Sequence, residues 1–310
     1  MAVGVRDIKS VLDDFATSRR SPTIAIILPE RPLTIEWSHK LKKLLASKNY
    51  EKVYLIIHSG GGDINVSFQM IEVLRLHCKC ICAVIPLYAK SAATLFCLGA
   101  DEIIMDELAE LGPLDTQIRE QKRGGEFSYT SALNPFKTLE QLREFSLETL
   151  DITVKLIMSR SSMTPAEALE YAVKFVGELA TPLLNQLSTE KLGEYSRALS
   201  VATEYGERLL RRYSKVLEKD QDVLLERLIY GYPSHDYIID YQEALELGLP
   251  VKLFEETERP LVDQLLNSIL KANDDVYLAE PRSEIEQAEK VIASDVEKGT
   301  ILEENTENER

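Results

Sequence analysis

Two short segments hold residue types that can do chemistry. The first is Ile57-His58-Ser59-Gly60-Gly61-Gly62-Asp63, set between a predicted strand and a predicted helix. Three glycines let the backbone approach a ligand closely and adopt conformations closed to other residues. Backbone N–H groups of such a turn make an anion site. The anion is a phosphate or a developing oxyanion, although neither a phosphate-loop Lys-Ser/Thr nor a G-x-G-x-x-G spacing is present. The second segment is Tyr88-Ala89-Lys90-Ser91-Ala92-Ala93-Thr94. It places Ser91 at a strand-to-helix corner among small neighbours that leave room for a tight turn and a substrate. A serine so placed suits a nucleophile. The plainer alternative is that Ser91 caps the helix.

Those segments need a frame. Thr23–Leu28, Val53–His58, Cys80–Pro86 and Glu102–Met105 read as strands. Helical stretches over 34–47, 65–76 and 92–98 separate them, and this alternation specifies a parallel sheet covered by helices. A strand–helix–strand unit brings the glycine turn and Ser91 to the same carboxyl edge, where ligand sites of open α/β sheets gather. From Thr138 to about Arg227 nearly everything reads as helix, with a capping signal at Thr164-Pro165-Ala166-Glu167. Tyr237–Ile239 and Val251–Leu253 flank a short helix stopped by Gly248, and a closing helix covers Pro260–Lys271. Beyond Asp274 the chain is acidic and reads as a loose helix fraying into disorder.

The chain of 310 residues has a formal net charge of -15 and a pI near 4.9. That balance argues against a nucleic-acid binder and against docking on anionic lipid. No secretory or membrane segment is visible, which predicts a cytoplasmic protein. Cys78, Cys80 and Cys82 alternate along one strand and Cys97 follows, which predicts free thiols rather than disulfides or a zinc site.

At this point the run from His58 to Gln117, with Asp236–Leu249, resembles the Clp-protease/signal-peptide-peptidase-A clan, and most closely its serine dehydrogenase proteinase family. HSGGGDINVSFQMIEVLR, YAKSAATLFCLGADEIIMDELAELGPLDTQ and SHDYIIDYQEALELGLPV carry the likeness, with the helical insert before the last. The resemblance spans roughly residues 20–255. It implies an α/β Clp-protease/crotonase-like parallel-sheet core over 1–255, with a helical insert at about 138–227, followed by a C-terminal helix and acidic tail over 256–310. It further implies a serine endopeptidase without cofactor or metal, acting on peptide or protein and assembling as a homo-oligomer. Carried over, Ser91 attacks the carbonyl, and Gly61, Gly62 and Ala92 supply oxyanion donors. His58 and Gly60 fall along the substrate groove.

This chain departs from the pattern at three places. Gly60 stands where the family usually has proline, and Lys90 and Ala93 stand where small residues are frequent. The general base is open as well. Clp proteases place a histidine shortly after the serine, and Gly112–Ile118 holds none. Lys137 is the first candidate, in the manner of relatives that use a desolvated lysine. The alternatives are His235 with Asp236, Lys155 among Val154, Leu156 and Ile157, and Lys90. Asp115 reads as ordering a loop. Two other functions compete: a non-catalytic scaffold that binds partners, and crotonase-type acyl-thioester chemistry.

Overall fold

The computed structural model describes residues 6–115, 117–121, 127–213 and 218–282. They fall into two compact units, one of Met1–Gly112, Leu209–Gln221 and Ile238–Arg310, the other of Pro113–Arg208 and Asp222–Tyr237.

The first unit is an α/β sheet. It opens with helix α1 (Ile8–Arg19) and strand β1 (Thr23–Leu28), followed by α2 (Ile35–Leu45), β2 (Tyr50–Ser59), α3 (Ile64–His77) and β3 (Cys78–Ile85). Next come β4 (Tyr88–Ala89), a 3-10 turn at Ser91–Thr94 running into α4 (Leu95–Leu98), β5 (Glu102–Met105) and β6 (Glu110–Leu111). Strands β1, β2, β3 and β5 are parallel neighbours in that order, because each returns to the sheet through a helix. All six residues of β1 are buried, as a strand covered on both faces requires. Beneath the sheet, Val11, Leu12 and Phe15 of α1 pack with Ala25, Ile56, Val84 and Ile104.

The second unit begins with an antiparallel hairpin, β7 (Gln117–Gln121) and β8 (Phe127–Ser131), which the sequence reading did not anticipate. Helices α5 (Asn134–Arg160) and α6 (Pro165–Leu184) follow and pack on each other. A capping box at Thr164 and Glu167 starts α6, as the sequence signals. Helices α7 (Thr189–Tyr213) and α8 (Glu218–Tyr230) complete the helical stretch.

The chain then returns to the first unit with α9 (Tyr241–Glu246), β9 (Val251–Leu253), α10 (Arg259–Ile269) and β10 (Asp275–Ala279). Where Tyr237–Ile239 reads as a strand, Ile239 alone forms a bridge, to Leu111. Strand β9 extends the sheet beyond β5, and β10 pairs antiparallel with β1 at the opposite edge. The residues just past Asp274 are therefore strand, not loose helix. Val276 and Ala279 are buried, and this outweighs the acidic composition around them. The acidic stretch from residue 283 lies outside the described residues.

Cys78, Cys82 and Cys97 are free and buried, and Cys80 is free and half-buried. Burial pushes the thiols of Cys78, Cys82 and Cys97 up to about 12. No helix among the described residues is long and apolar enough to cross a membrane.

Candidate active site

Strands β2 and β4 end side by side, with Ser59 opposite Ala89, and this pairing sets the glycine turn against Ser91. Gly61 has φ +100° and Gly62 has φ +146°, in the region that favours glycine. A Cβ on Gly61 would lie 2.7 Å from the Lys90 carbonyl oxygen, 2.8 Å from Ser91 Cβ and 3.1 Å from the Ala92 nitrogen. A Cβ on Gly62 would lie 2.3 Å from the Leu33 nitrogen. Gly60 has open space around it and is exposed, so replacing proline by glycine there leaves the turn's packing intact.

Ser91 itself has φ +53°, a left-handed conformation uncommon for a residue with a side chain. Five contacts hold the corner in that shape. The Lys90 N–H donates to the Ser59 carbonyl at 3.0 Å, and the Ala93 N–H to the Lys90 carbonyl at 2.9 Å. The Ser67 hydroxyl, on α3, donates to the Ala92 carbonyl at 2.6 Å. The buried Thr94 hydroxyl lies within reach of the Ala89 and Gly112 carbonyls, at 2.9 and 2.8 Å. Position N-cap falls on Lys90, so Ser91 does not cap the helix. Among the described residues of the first unit its hydroxyl has no hydrogen-bond partner.

The donors around Ser91 divide into used and unused. The Gly61 N–H is directed at Ser59 Oγ, at 3.2 Å. Leu33 donates to the Gly61 carbonyl and accepts from the Asp63 N–H, so in this parallel bridge the N–H of Gly62 turns to the side away from Leu33. Among the described residues no acceptor takes the N–H of Gly62 or of Ala92. These two are free to hold an anionic oxygen; Gly61 contributes its lack of a side chain.

His58 does not face an open groove. It is 3 % exposed, with its ring 4.2 Å from that of Tyr88. Its Nδ1 has no partner among the described residues, and burial pushes the imidazole down to about 4, so it is neutral near pH 7.

The candidate bases have other partners than the sequence suggests. Lys137, on the first turn of α5, directs its Nζ at the Tyr232 carbonyl. Lys155 is exposed and pairs with Asp151 one helical turn away, because the apolar neighbours in its sequence face other directions. Lys90 pairs with Glu110 at 2.6 Å. Asp236 is exposed and does not meet His235, since neighbouring side chains diverge.

What His235 does meet is Asp115. Their Nδ1 and Oδ1 are 2.7 Å apart, and the side chains are 13 % and 4 % exposed. The other carboxylate oxygen accepts from the Ser131 hydroxyl at 2.5 Å, and Ser131 Oγ in turn accepts from the Leu133 N–H at 3.1 Å. An ionised carboxylate only accepts, so the Nδ1 proton belongs to this bond and Nε2 keeps its lone pair in the neutral ring. Sequence reasoning named both residues without joining them. The available signal was that His235 is the one histidine beyond His77.

Two uncharacterized proteins of Methanocaldococcus jannaschii are similar in sequence. One is 28% identical over 220 residues, covering 71% of this chain and 60% of its own length. The other is 31% identical over 173 residues, covering 55% of this chain and 52% of its own length. The chain thus spans between half and three fifths of these relatives. Among solved structures, a putative enoyl-CoA hydratase from Streptomyces coelicolor A3(2) aligns with a TM-score of 0.33 and 15% identity, over 79% of this chain and 69% of that one. A serine-to-alanine mutant of the 1510-N membrane-bound stomatin-specific protease aligns with a TM-score of 0.27 and 12% identity, over 72% of this chain and 93% of that one. Residues 23–157, which include the glycine turn, Ser91 and Asp115, match the family of ClpP-like SDH-type serine proteinases.

Proposed function

We propose that the chain is a serine peptidase that cleaves peptide bonds through an acyl-enzyme on Ser91. The observation that carries this reading is the Ser91 corner, a left-handed serine set against Gly61 with the N–H groups of Gly62 and Ala92 unused. Attack by Ser91 Oγ on a carbonyl carbon puts negative charge on the carbonyl oxygen, which two preorganised N–H donors stabilise. The hydroxyl proton goes to a general base, and the Asp115–His235 pair of the second unit, taken by itself, has the chemistry of one: a lone pair on Nε2 and a carboxylate that stabilises the imidazolium. That proton passes to the leaving amine as the C–N bond breaks. Water then repeats the sequence on the ester, releasing the acid and restoring Ser91.

A further observation favours His235 over the lysines. The Nζ atoms of Lys90, Lys137 and Lys155 are each engaged by an oxygen acceptor, whereas the neutral imidazole keeps a proton-free nitrogen.

A fluorophosphonate probe tests the reading. The expected result is one covalent adduct per chain by intact mass, absent in Ser91→Ala and slowed about 1,000-fold or more in His235→Gln. Undiminished labelling in Ser91→Ala, or none in wild type across the pH range, defeats it.

A further inference from the structure

The turn between β1 and α2 is Pro29-Glu30-Arg31-Pro32. Proline has no N–H, so this turn offers only the backbone donors of Glu30 and Arg31. Both go to one atom, Oδ1 of Asp274 just before β10, at 3.0 and 3.2 Å. A carboxylate accepting from two successive N–H groups holds the peptide between them, and both bonds are charge-assisted. Only Pro32, with its fixed φ, separates the clamped Arg31 from Leu33. Leu33 is fully buried and carries the glycine turn. Its N–H donates to the Gly61 carbonyl at 2.8 Å, and its carbonyl accepts from the Asp63 N–H at 3.0 Å. These two bonds straddle Gly62, whose backbone lies so close to Leu33 that no Cβ fits between them. The same carboxylate acts on β4, which leads to Ser91: burial first, and the Asp274 charge second, raise the pKa of the Tyr88 hydroxyl.

We infer that Asp274 is a positioning residue for the oxyanion site: its carboxylate fixes the Glu30–Arg31 backbone and, through Leu33, aims the Gly62 N–H. The inference rests on the peptidase reading of Ser91. Asp274 touches no reacting atom and acts only through the turn it holds. Such a hold matters at Gly62, which has φ +146° and no side chain to anchor it. An oxyanion donor contributes fully only when its direction is set before the charge develops. The neighbouring Asp275 does a different task, pairing with Lys40 to tie β10 to α2. Asp274 also stands outside residues 23–157, the stretch that matches the family, so no motif in that stretch points to it. The C-terminal strand β10 thereby belongs to the construction of the site as well as to the sheet edge.

Fluorophosphonate labelling of the full chain at several probe concentrations separates probe binding from the bond-forming step, with circular dichroism to check folding. Asp274→Ala is expected to slow the bond-forming step by about tenfold and leave probe binding unchanged, since a misaimed donor loses part of the 100-fold or more that one donor contributes. Asp274→Asn, whose Oδ1 still accepts, is expected to stay within about threefold of wild type. Lys40→Met, which frees Asp275 on the same strand, is expected to label at the wild-type rate. A second measurement needs no activity: hydrogen exchange at Leu33 and Asp63, read by mass spectrometry, is expected to quicken about tenfold in Asp274→Ala and not in Lys40→Met. Wild-type labelling by Asp274→Ala overturns the inference, as does equal slowing in Lys40→Met. Failure of wild type to label defeats the peptidase reading instead. Exchange then decides the hold on the turn, and unchanged rates at Leu33 and Asp63 overturn it.

Discussion

Asp115 Oδ1 accepts the Nδ1 proton of His235 at 2.7 Å, although 120 residues separate them in sequence. Asp236, adjacent to His235 in the chain, is exposed and takes no part in the pair. The Ser131 hydroxyl holds the second oxygen of Asp115 at 2.5 Å, so the carboxylate has little freedom to rotate away from the ring.

That arrangement separates the two aspartates by experiment. Asp115→Asn keeps the shape but lets the amide hold the wrong tautomer of His235, with its lone pair on Nδ1. Fluorophosphonate labelling is expected to slow by about 1,000-fold or more. Asp236→Asn is expected to label at the wild-type rate. Ser131→Ala leaves a buried carboxylate oxygen without its donor and is expected to slow labelling by about tenfold, with Ser131→Thr restoring it. Equal rates for Asp115→Asn and Asp236→Asn would remove Asp115 from the mechanism.

The contrast between Asp115 and Asp236 shows how much of the site could be read in advance. Strands β1, β2, β3 and β5 were legible because apolar runs and glycine stops are local signals, and Ser91 and the glycine turn came with them. The Asp115–His235 contact depends on where a long helical insertion returns, and no local pattern reports that. The hairpin β7–β8, which brings Ser131 to Asp115, was missed because Gln117–Gln121 has a single apolar residue, Ile118, and so no alternating apolar pattern. Strand β10 was hidden by the acidic residues around it. The partners of Lys90, Lys137 and Lys155 were not legible because composition does not show which carbonyl or carboxylate a long side chain reaches.

The three adjacent glycines are expected to respond very differently to alanine. At Gly61 the new Cβ falls within 2.8 Å of both the Lys90 carbonyl oxygen and Ser91 Cβ, and φ is +100°. Gly61→Ala should cost about 2–3 kcal/mol of stability and displace the nucleophile. At Gly60 nothing lies within 4 Å, so Gly60→Ala should stay within about 0.5 kcal/mol of wild type. Urea unfolding followed by tryptophan fluorescence measures both, and equal destabilisation would contradict the geometry.

Arg75 is expected to be a stability residue on which the corner depends indirectly. Its guanidinium donates to the Gly99 carbonyl at 3.0 and 2.6 Å and to Asp101 at 2.9 Å, and it lies 4.4 Å from the ring centroid of Tyr213. Asp101 in turn accepts from the Ile81 N–H at 2.8 Å. The side chain is 6% exposed, so Arg75→Ala leaves a carbonyl and a carboxylate short of donors and should cost about 3 kcal/mol. Arg75→Lys should recover less than half of this, because one ammonium cannot reproduce the planar fork or its stacking. Full recovery by lysine would reduce the interaction to simple charge pairing.

His58 makes the acid side of the stability curve diagnostic. Its buried imidazole is held at about 4, against an ordinary 6.5, so the folded chain keeps it neutral where the unfolded chain would protonate it. The sign follows from proton counts: between those two values the unfolded state binds more protons, and stability falls as pH falls. The full contribution is present above about pH 6.5 and is lost by about pH 4, a difference of about 3 kcal/mol. Replacing the ring by an apolar one that still packs against Tyr88, as in His58→Phe, removes this titration and the unpartnered Nδ1 together. Urea unfolding of both chains between pH 4 and 7 should therefore show His58→Phe losing about 3 kcal/mol less than wild type over that interval. Since both chains carry the same carboxylates, their acid titration cancels in the comparison. Parallel curves would mean that His58 is protonated in the folded protein and has a partner.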